Sequence, residues 1–231
     1  MSTNRRVLVT GGGSGIGQAT CTVLVENGWD AIAADVQPPT GGIDLDVTDE
    51  AGWAGVLEHT GPLAGLVCSA GIRTRSMIVD TTVDEFRRHL DVNVVGTWLG
   101  IRALLRNHVA GTNAAIVTMA SVNATIAVPG QAHYVASKGA VASLTRAAAL
   151  EGAPLGVRAN SIAPGPIRTP MTAERLDDAA QVQWLTTRVA LGRVGEPREI
   201  AEVVQFLLSD AASYMTGEVL YVDGGWAANA V

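Results

Sequence analysis

Cysteine is scarce in this 231-residue sequence, which contains only Cys21 and Cys68. Both lie inside apolar segments, and their spacing is neither that of metal ligands nor that of a disulfide framework. A free thiol commonly behaves as a small buried apolar group. We therefore expect two buried free cysteines in a reducing compartment, and no metal site.

Basic residues are also few, since 16 lysines and arginines are outnumbered by 22 aspartates and glutamates, for a net charge of −6. Nucleic-acid binding usually needs clustered basic side chains, so we expect no DNA or RNA partner. No run approaches the roughly 18 uninterrupted apolar residues of a membrane helix, and residues 1–6 lack the apolar core of a secretion signal. We expect a cytoplasmic protein with no membrane partner.

Apolar residues are plentiful: 48% of the sequence is hydrophobic and only 16% is charged, which suits one domain over residues 1–231. Short, near-continuous apolar runs alternate with longer helical patterns, as in parallel strands covered by helices on both faces. The pattern predicts an α/β fold with one doubly wound parallel sheet of about seven strands. The predicted strands are 6–10, 31–34, 43–45, 65–68, 115–119, 157–162 and 219–222.

Helical patterns separate these strands, and one late segment differs from the rest. Pro164, Pro166 and Pro170 interrupt the backbone before a polar helical run at 173–189. We expect a mobile substrate flap at about 166–193. The remaining predicted helices are 16–27, 49–58, 83–109, 133–151 and 197–209.

A glycine-rich loop, Thr10-Gly-Gly-Gly-Ser-Gly-Ile-Gly17, lies where the first strand turns into the first helix. Gly11 permits a tight turn, whereas Gly15 and Gly17 allow the backbone to approach phosphates and the helix to pack on the strand. Exposed N–H groups and the helix dipole then favour a pyrophosphate. The loop predicts dinucleotide binding in a Rossmann-type fold.

The cofactor preference depends on Asp35, which follows the second strand twenty residues after Gly15. An acid at this place normally binds the adenosine ribose hydroxyls and repels a 2′-phosphate. Ser14 and Val36 flank the expected ribose pocket without a basic group. We therefore expect NAD rather than NADP.

Tyr134 and Lys138 are four residues apart at the start of an alanine-rich helix, so both side chains project from one face. A nearby ammonium lowers the pKa of a phenol, and we expect this of Tyr134, which becomes a candidate acid and base. Ser121, just beyond the strand that ends near Met119, can donate a hydrogen bond to a substrate oxygen beside it. Ser121 would then polarise the same substrate oxygen that exchanges a proton with Tyr134.

Histidine gives no competing catalytic centre. The four histidines show no triad context, and no G-x-S-x-G elbow is present, which disfavours a hydrolase. His59 and His108 are interpreted as helix-end residues, and His89 as part of a charged face. His133 adjoins Tyr134, so it is a candidate for the substrate pocket.

Together these residues resemble the short-chain dehydrogenase/reductase family of the Y-x-x-x-K type, over essentially the whole chain. The match also includes Asp46-Val47, Asn93 in Val92-Asn-Val-Val-Gly96, Pro164-Gly165 and Tyr221-Val-Asp-Gly-Gly225. The thirteen-residue interval from Ser121 to Tyr134 is similar to that of the family. Cys68-Ser-Ala-Gly71 departs from its usual Asn-Asn-Ala-Gly, although Ala70 and Gly71 keep the close backbone approach.

The resemblance implies roles for further residues and an assembly. Asn93 would help to hold a water near Lys138, Lys138 would bind the nicotinamide ribose, and the oligomer would be a homotetramer. Asn93, Ser121, Tyr134 and Lys138 form the implied catalytic set. The predicted cofactor-binding residues are Gly11, Ser14, Gly15, Ile16, Gly17, Asp35, Asp46, Val47, Cys68, Ala70, Gly71, Tyr134, Lys138, Pro164, Gly165, Ile167 and Thr169.

The leading hypothesis is an NAD-dependent oxidoreductase of a secondary alcohol or ketone, with Tyr134 as acid and base. A 3-oxoacyl thioester (acyl carrier protein) reductase is an alternative, because the Pro129-Gly-Gln131 loop is similar to that branch, although Asp35 disfavours its usual NADPH. A non-catalytic NAD-sensing protein is a further alternative.

The substrate itself is not identified by the sequence. Ile126, Val128 and Met171 suggest a partly apolar pocket. The candidates for polar substrate recognition are Arg73, Asn123, Gln131 and His133.

Overall fold

The apolar runs of the sequence form one seven-stranded parallel sheet in the computed structural model, which describes residues 5–229. Its order is β3-β2-β1-β4-β5-β6-β7. The α/β doubly wound fold is therefore confirmed. The strands are β1 (Arg6–Thr10), β2 (Asp30–Asp35), β3 (Ile43–Asp44), β4 (Gly65–Cys68), β5 (Ala114–Met119), β6 (Val157–Pro164) and β7 (Val219–Val222).

The strand order reverses between β1 and β4, which pair side by side although two strands separate them in sequence. Thr10 at the end of β1 is paired with both Ala34 of β2 and Cys68 of β4. At such a switch point the loops leave in opposite directions and open a crevice at the carboxyl ends of the strands. The topology therefore places the main ligand crevice beyond Thr10.

Helices cover both faces of the sheet, and most begin within two residues of their predicted start. The predicted helix 83–109 is continuous but contains a π-helical turn, Asp91–Val95, between α3 and α4. The helices are α1 (Gly15–Glu26), α2 (Glu50–Thr60), α3 (Val83–Leu90), α4 (Gly96–Asn107), α5 (Ala132–Gly152), α6 (Ala173–Leu176), α7 (Ala179–Thr186) and α8 (Pro197–Leu208).

The prediction of a single helix over 173–189 is wrong, because the segment divides into α6 and α7. The side chain of Asp178 caps the second helix by accepting hydrogen bonds from the N–H groups of Ala180 and Gln181, at 2.8 and 3.3 Å. An aspartate favours an N-cap over a helix interior. The cap therefore starts a new helix within the polar run.

The side chains of alternate residues in each strand lie on opposite faces of the sheet. Leu8 and Ile116 pack with Trp53 of α2 on one face, whereas Val7 and Val117 face the other, where α1 and α8 pack. A third apolar cluster joins the predicted flap to the carboxyl-terminal segment. It contains Val122, Leu185, Val189 and Trp226. The mobility of the flap stays a prediction.

No helix within residues 5–229 is long and apolar enough to cross a membrane.

The contact between α1 and the glycine loop predicts a stability difference between two helical glycines. A Cβ atom at Gly17 would lie 2.0 Å from the carbonyl oxygen of Gly11, whereas one at Gly55 of α2 meets nothing within 4 Å. We expect Gly17→Ala to destabilise the protein by about 1–3 kcal/mol through overpacking. Gly55→Ala should instead be neutral, or stabilising by up to about 1 kcal/mol.

Urea unfolding without cofactor compares the two variants. Equal midpoints would contradict the predicted contact.

Candidate active site

A cavity of about 800 Å³ lies at the carboxyl ends of the strands, above the switch point. All of the predicted cofactor-binding residues except Cys68 line it. They are Gly11, Ser14, Gly15, Ile16, Gly17, Asp35, Asp46, Val47, Ala70, Gly71, Tyr134, Lys138, Pro164, Gly165, Ile167 and Thr169.

The glycine loop approaches the backbone that follows β4. Gly11 has a φ of 68°, and a Cβ atom there would lie 2.7 Å from the backbone nitrogen of Ala70. Thr10 Oγ1 reinforces this approach by accepting a hydrogen bond from the same nitrogen at 3.3 Å. Gly15 also has a positive φ, 52°, at the start of α1. The loop is thus a backbone-lined cradle before a helix N-terminus, which suits a dinucleotide pyrophosphate.

The carboxylate of Asp35 is fixed at the cavity wall by two backbone groups. It accepts hydrogen bonds from the N–H of Gly13 at 2.9 Å and from the N–H of Gln37 at 3.0 Å. Of the described residues, none of those lining the cavity from the glycine loop or the end of β2 is basic. This wall of the cavity therefore presents an acidic side chain where the sequence predicts the adenosine ribose.

The segment after β3 is held in a defined conformation. Asp46 Oδ1 accepts hydrogen bonds from both the N–H and the hydroxyl of Thr48, at 2.9 and 2.8 Å. The carbonyl of Val47 accepts one from the indole of Trp53 at 3.0 Å. Asp46 and Val47 therefore form a fixed part of the cavity wall, and their predicted contact with the cofactor stays a prediction.

Cys68 is the predicted cofactor residue that the structure does not place at the cavity. Its thiol lies on the α4 side of the sheet, with Sγ 4.0 Å from the carbonyl oxygen of Thr97. Burial raises the pKa of Cys68 to about 12, so the thiol stays protonated at neutral pH. The next residue, Ser69, lines the cavity instead. The structure therefore does not support Cys68 as a cofactor contact.

Tyr134, Lys138 and Ser121 converge on the cavity from α5 and from the end of β5. The tyrosine and the lysine are only 9% and 6% exposed. The ammonium of Lys138 donates a hydrogen bond to the carbonyl of Met119 at 2.7 Å and lies 5.6 Å from the centre of the Tyr134 ring. Ser121 and Tyr134 both line the cavity, and Ser121 is one of the groups that affect the pKa of Tyr134. These three side chains can therefore act on one substrate oxygen.

The predicted lowering of the Tyr134 pKa is wrong for the protein in this structure. Burial raises the pKa of Tyr134, and the hydrogen bond to Ser121 and the charge of Arg73 offset this only in part. Burial also lowers the pKa of Lys138 to about 8, so its ammonium group loses a proton more readily than that of an exposed lysine. Removal from water is thus the largest influence on the pKa of both groups.

Asn93 lies in the π-helical turn and fixes the loop after β4. Its Oδ1 accepts a hydrogen bond from the N–H of Ile72 at 2.8 Å. Its Nδ2 donates to the carbonyl of Ile72 at 3.1 Å and to Ser137 Oγ at 2.9 Å. The side chain therefore joins this loop to α5, and its predicted contact with a water near Lys138 stays a prediction.

The predicted substrate residues separate into two groups. Asn123 and Gln131 line the cavity and are joined by a hydrogen bond of 3.0 Å. His133 is fully buried outside the cavity lining, with Nε2 3.0 Å from Thr74 Oγ1 and its ring centre 4.2 Å from that of His89. Adjacent residues on a helix point about 100° apart, so His133 does not face the cavity that its neighbour Tyr134 lines.

The structure therefore does not support His133 as a substrate residue, and it places His89 in the interior rather than on a charged face.

Other cavity residues come from distant segments. Val128 and Met171 line it as expected, whereas Ile126 packs in the cluster with Trp226. Arg175 of α6 and Trp226 were missed, because neither lies near a motif and only the fold brings them to the cavity. Arg73, which the sequence offers as a polar candidate, also lines the cavity.

The chain matches the family model described as "Enoyl-(Acyl carrier protein) reductase" over residues 11–227. It is 37% identical to a cyclopentanol dehydrogenase of Comamonas sp. (strain NCIMB 9872), covering 96% of this chain and 97% of that protein. It is 36% identical to an NADP-dependent (R)-specific alcohol dehydrogenase of Lentilactobacillus kefiri, covering 96% of each chain.

Among solved structures, a short-chain type dehydrogenase/reductase from Mycobacterium ulcerans is similar, with a TM-score of 0.92 and 32% identity over 98% of this chain and 90% of that one. The sequence motifs, the sheet order and these similarities agree. The chain belongs to the short-chain dehydrogenase/reductase family, as an oxidoreductase that acts on an alcohol or ketone with a nicotinamide cofactor.

Proposed function

We propose that this protein oxidises a secondary alcohol with NAD, and reduces the corresponding ketone with NADH, using Tyr134 as base and acid. The observation that carries the proposal is that Ser121, Tyr134 and Lys138 line the same cavity as the glycine cradle and Asp35. Relatives named for free alcohols support this reaction over reduction of an acyl thioester.

Each side chain has a separate role in the proposed reaction. The bound nicotinamide supplies the hydride acceptor or donor. Ser121 donates a hydrogen bond to the substrate oxygen, and Tyr134 accepts the hydroxyl proton during oxidation or returns it during reduction. Lys138 places its positive charge beside the tyrosine and the expected ribose site. Asn93 positions the loop after β4 without contacting the substrate.

Substitution of Tyr134 by phenylalanine tests the proton transfer. The ring still packs, but the oxygen that carries the proton is lost, so we expect kcat to fall on the order of 10²–10⁴-fold. NADH affinity, measured by fluorescence titration, should stay nearly unchanged. Tyr214→Phe, at a fully exposed tyrosine, is the matched control and should retain wild-type kcat. Tyr134→Phe with more than about a tenth of wild-type kcat would refute the role.

Cofactor preference follows from the fixed carboxylate of Asp35. This carboxylate can accept hydrogen bonds from ribose hydroxyls, and it repels a 2′-phosphate. In the described cavity wall, no basic side chain from the glycine loop or the end of β2 offsets that repulsion. We expect kcat/KM to favour NAD over NADP by at least about tenfold, equivalent to 1.4 kcal/mol. The isosteric variant Asp35→Asn should reduce this ratio by raising the efficiency with NADP.

Steady-state kinetics with both cofactors at one saturating alcohol concentration measure the ratio. Equal efficiencies in the wild-type protein would show that Asp35 does not select the cofactor.

We also propose a cytoplasmic homotetramer. Val95 at the end of the π-helical turn, Trp98 of α4 and Leu150 of α5 are exposed in the isolated chain. A closed symmetric assembly would cover such apolar side chains. Light scattering after size exclusion should give four times the chain mass at micromolar concentration. A monomer mass would contradict the assembly.

A further inference from the structure

Positive charge is concentrated at the end of the cavity that Tyr134 faces. Arg73, in the loop after β4, and Arg175, in α6, both line the cavity. Burial, together with the nearby charges of Arg75, Arg73 and Arg188, lowers the pKa of Arg175 to about 10. These four residues form the arginine cluster. Such mutual repulsion favours a bound anion.

The described side chains do not neutralise this cluster by salt bridges. Within residues 5–229, Arg73 and Arg175 form none. Arg73 Nη2 donates a hydrogen bond to the carbonyl of Met171 at 3.0 Å, and Arg175 Nε donates to Gln181 at 3.2 Å. Neutral acceptors satisfy donors but leave the charge unbalanced. The charge of the exposed Glu174 raises the pKa of Arg73, but its effect is smaller than those of Tyr134 and Arg75. Burial has the largest effect and lowers the pKa of Arg73 overall.

Elsewhere in the cavity the charges are mixed. The arginines of α3 that line it, Arg87 and Arg88, are accompanied by Asp84 and Asp91 of the same helical segment. The wall near the glycine loop carries Asp35 and no basic residue from that loop. The excess of positive charge is therefore a property of the arginine cluster and not of the cavity as a whole.

The cluster is close enough to the proposed reaction centre to select a substrate. Arg73 and Tyr134 interact electrostatically, since the charge of Arg73 lowers the pKa of the buried phenol. Arg175 is held in place by stacking, with its guanidinium carbon 4.8 Å from the centre of the Trp184 ring. A planar guanidinium presents a fork of donors that matches a carboxylate or a phosphate.

We propose that the substrate is an anionic alcohol, a hydroxy acid or a phosphorylated alcohol, whose anionic group is bound by Arg73 and Arg175 while its carbinol carbon lies beside Tyr134. The inference rests on the proposed dehydrogenase function and names the substrate class for it. Asn123 and Gln131 then remain available for the rest of the polar substrate.

Matched pairs of substrates test the proposal in the complete enzyme with NAD. The pairs are 3-hydroxybutyrate and 4-hydroxypentanoate against their methyl esters, and glycerol 3-phosphate against glycerol. We expect kcat/KM to be at least about tenfold higher for an anion than for its neutral partner, through a lower KM. Preference for the acids identifies a carboxylate, and preference for glycerol 3-phosphate identifies a phosphate.

Variants identify the residues that make this distinction. Arg73→Gln and Arg175→Gln should each raise KM for the preferred anion by at least about tenfold more than KM for its neutral partner, and leave NADH affinity unchanged. Arg106→Gln, at the exposed end of α4, is the matched control and should behave like the wild type. An equal loss for anionic and neutral substrates would overturn the proposal, as would a wild-type preference for the neutral partners.

A binding measurement separates failure of this inference from failure of the proposed function. Butyrate and butyramide, which have no hydroxyl to oxidise, are titrated by calorimetry into the NADH complex. Arg73-dependent binding of butyrate but not butyramide supports the anion site even if no alcohol is turned over. Equal binding of the two, or no binding together with no preference for any anionic substrate, overturns it. Turnover of neutral alcohols but of no anionic alcohol would support the dehydrogenase function and contradict the anion site.

Discussion

The close approach of Gly11 to the chain after β4 is the constraint on which the rest of the site depends. A Cβ atom at Gly11 would lie 2.7 Å from the nitrogen of Ala70, so this close approach requires a glycine at position 11. This contact sets the glycine loop beside the segment that Asn93 joins to α5, the helix that carries Tyr134.

Burial is the second determinant of the chemistry. The helix that carries Tyr134 and Lys138 packs against β6 and the end of β5, and both side chains are withdrawn from water. Without compensation, burial favours the neutral form of each group. The pKa of Tyr134 is therefore raised, and the pKa of Lys138 is lowered to about 8. The phenol is protonated at neutral pH, which is the form that a ketone reductase needs.

Features that depend on local sequence were predictable, and features that depend on orientation were not. All seven strands were predicted, and most of them are apolar runs that can be recognised without tertiary information, although β3 has only two residues. His133 was assigned to the pocket because it adjoins Tyr134, but one step along a helix turns a side chain by about 100°. Cys68 was assigned by motif position, although its thiol faces α4. The raised pKa of Tyr134 and the position of Arg175 depend on burial and on distant segments, which motifs do not encode.

The most direct test of the account is the pH dependence of kcat/KM for alcohol oxidation between pH 6 and 7, below the pKa of Lys138. Oxidation needs the deprotonated form of Tyr134, and its raised pKa lies above this whole interval. The account predicts an increase of about tenfold per pH unit, because the phenolate fraction grows by that factor well below the pKa. A pH-independent value across the interval would show that the proton leaves through another group, and would contradict Tyr134 as the base.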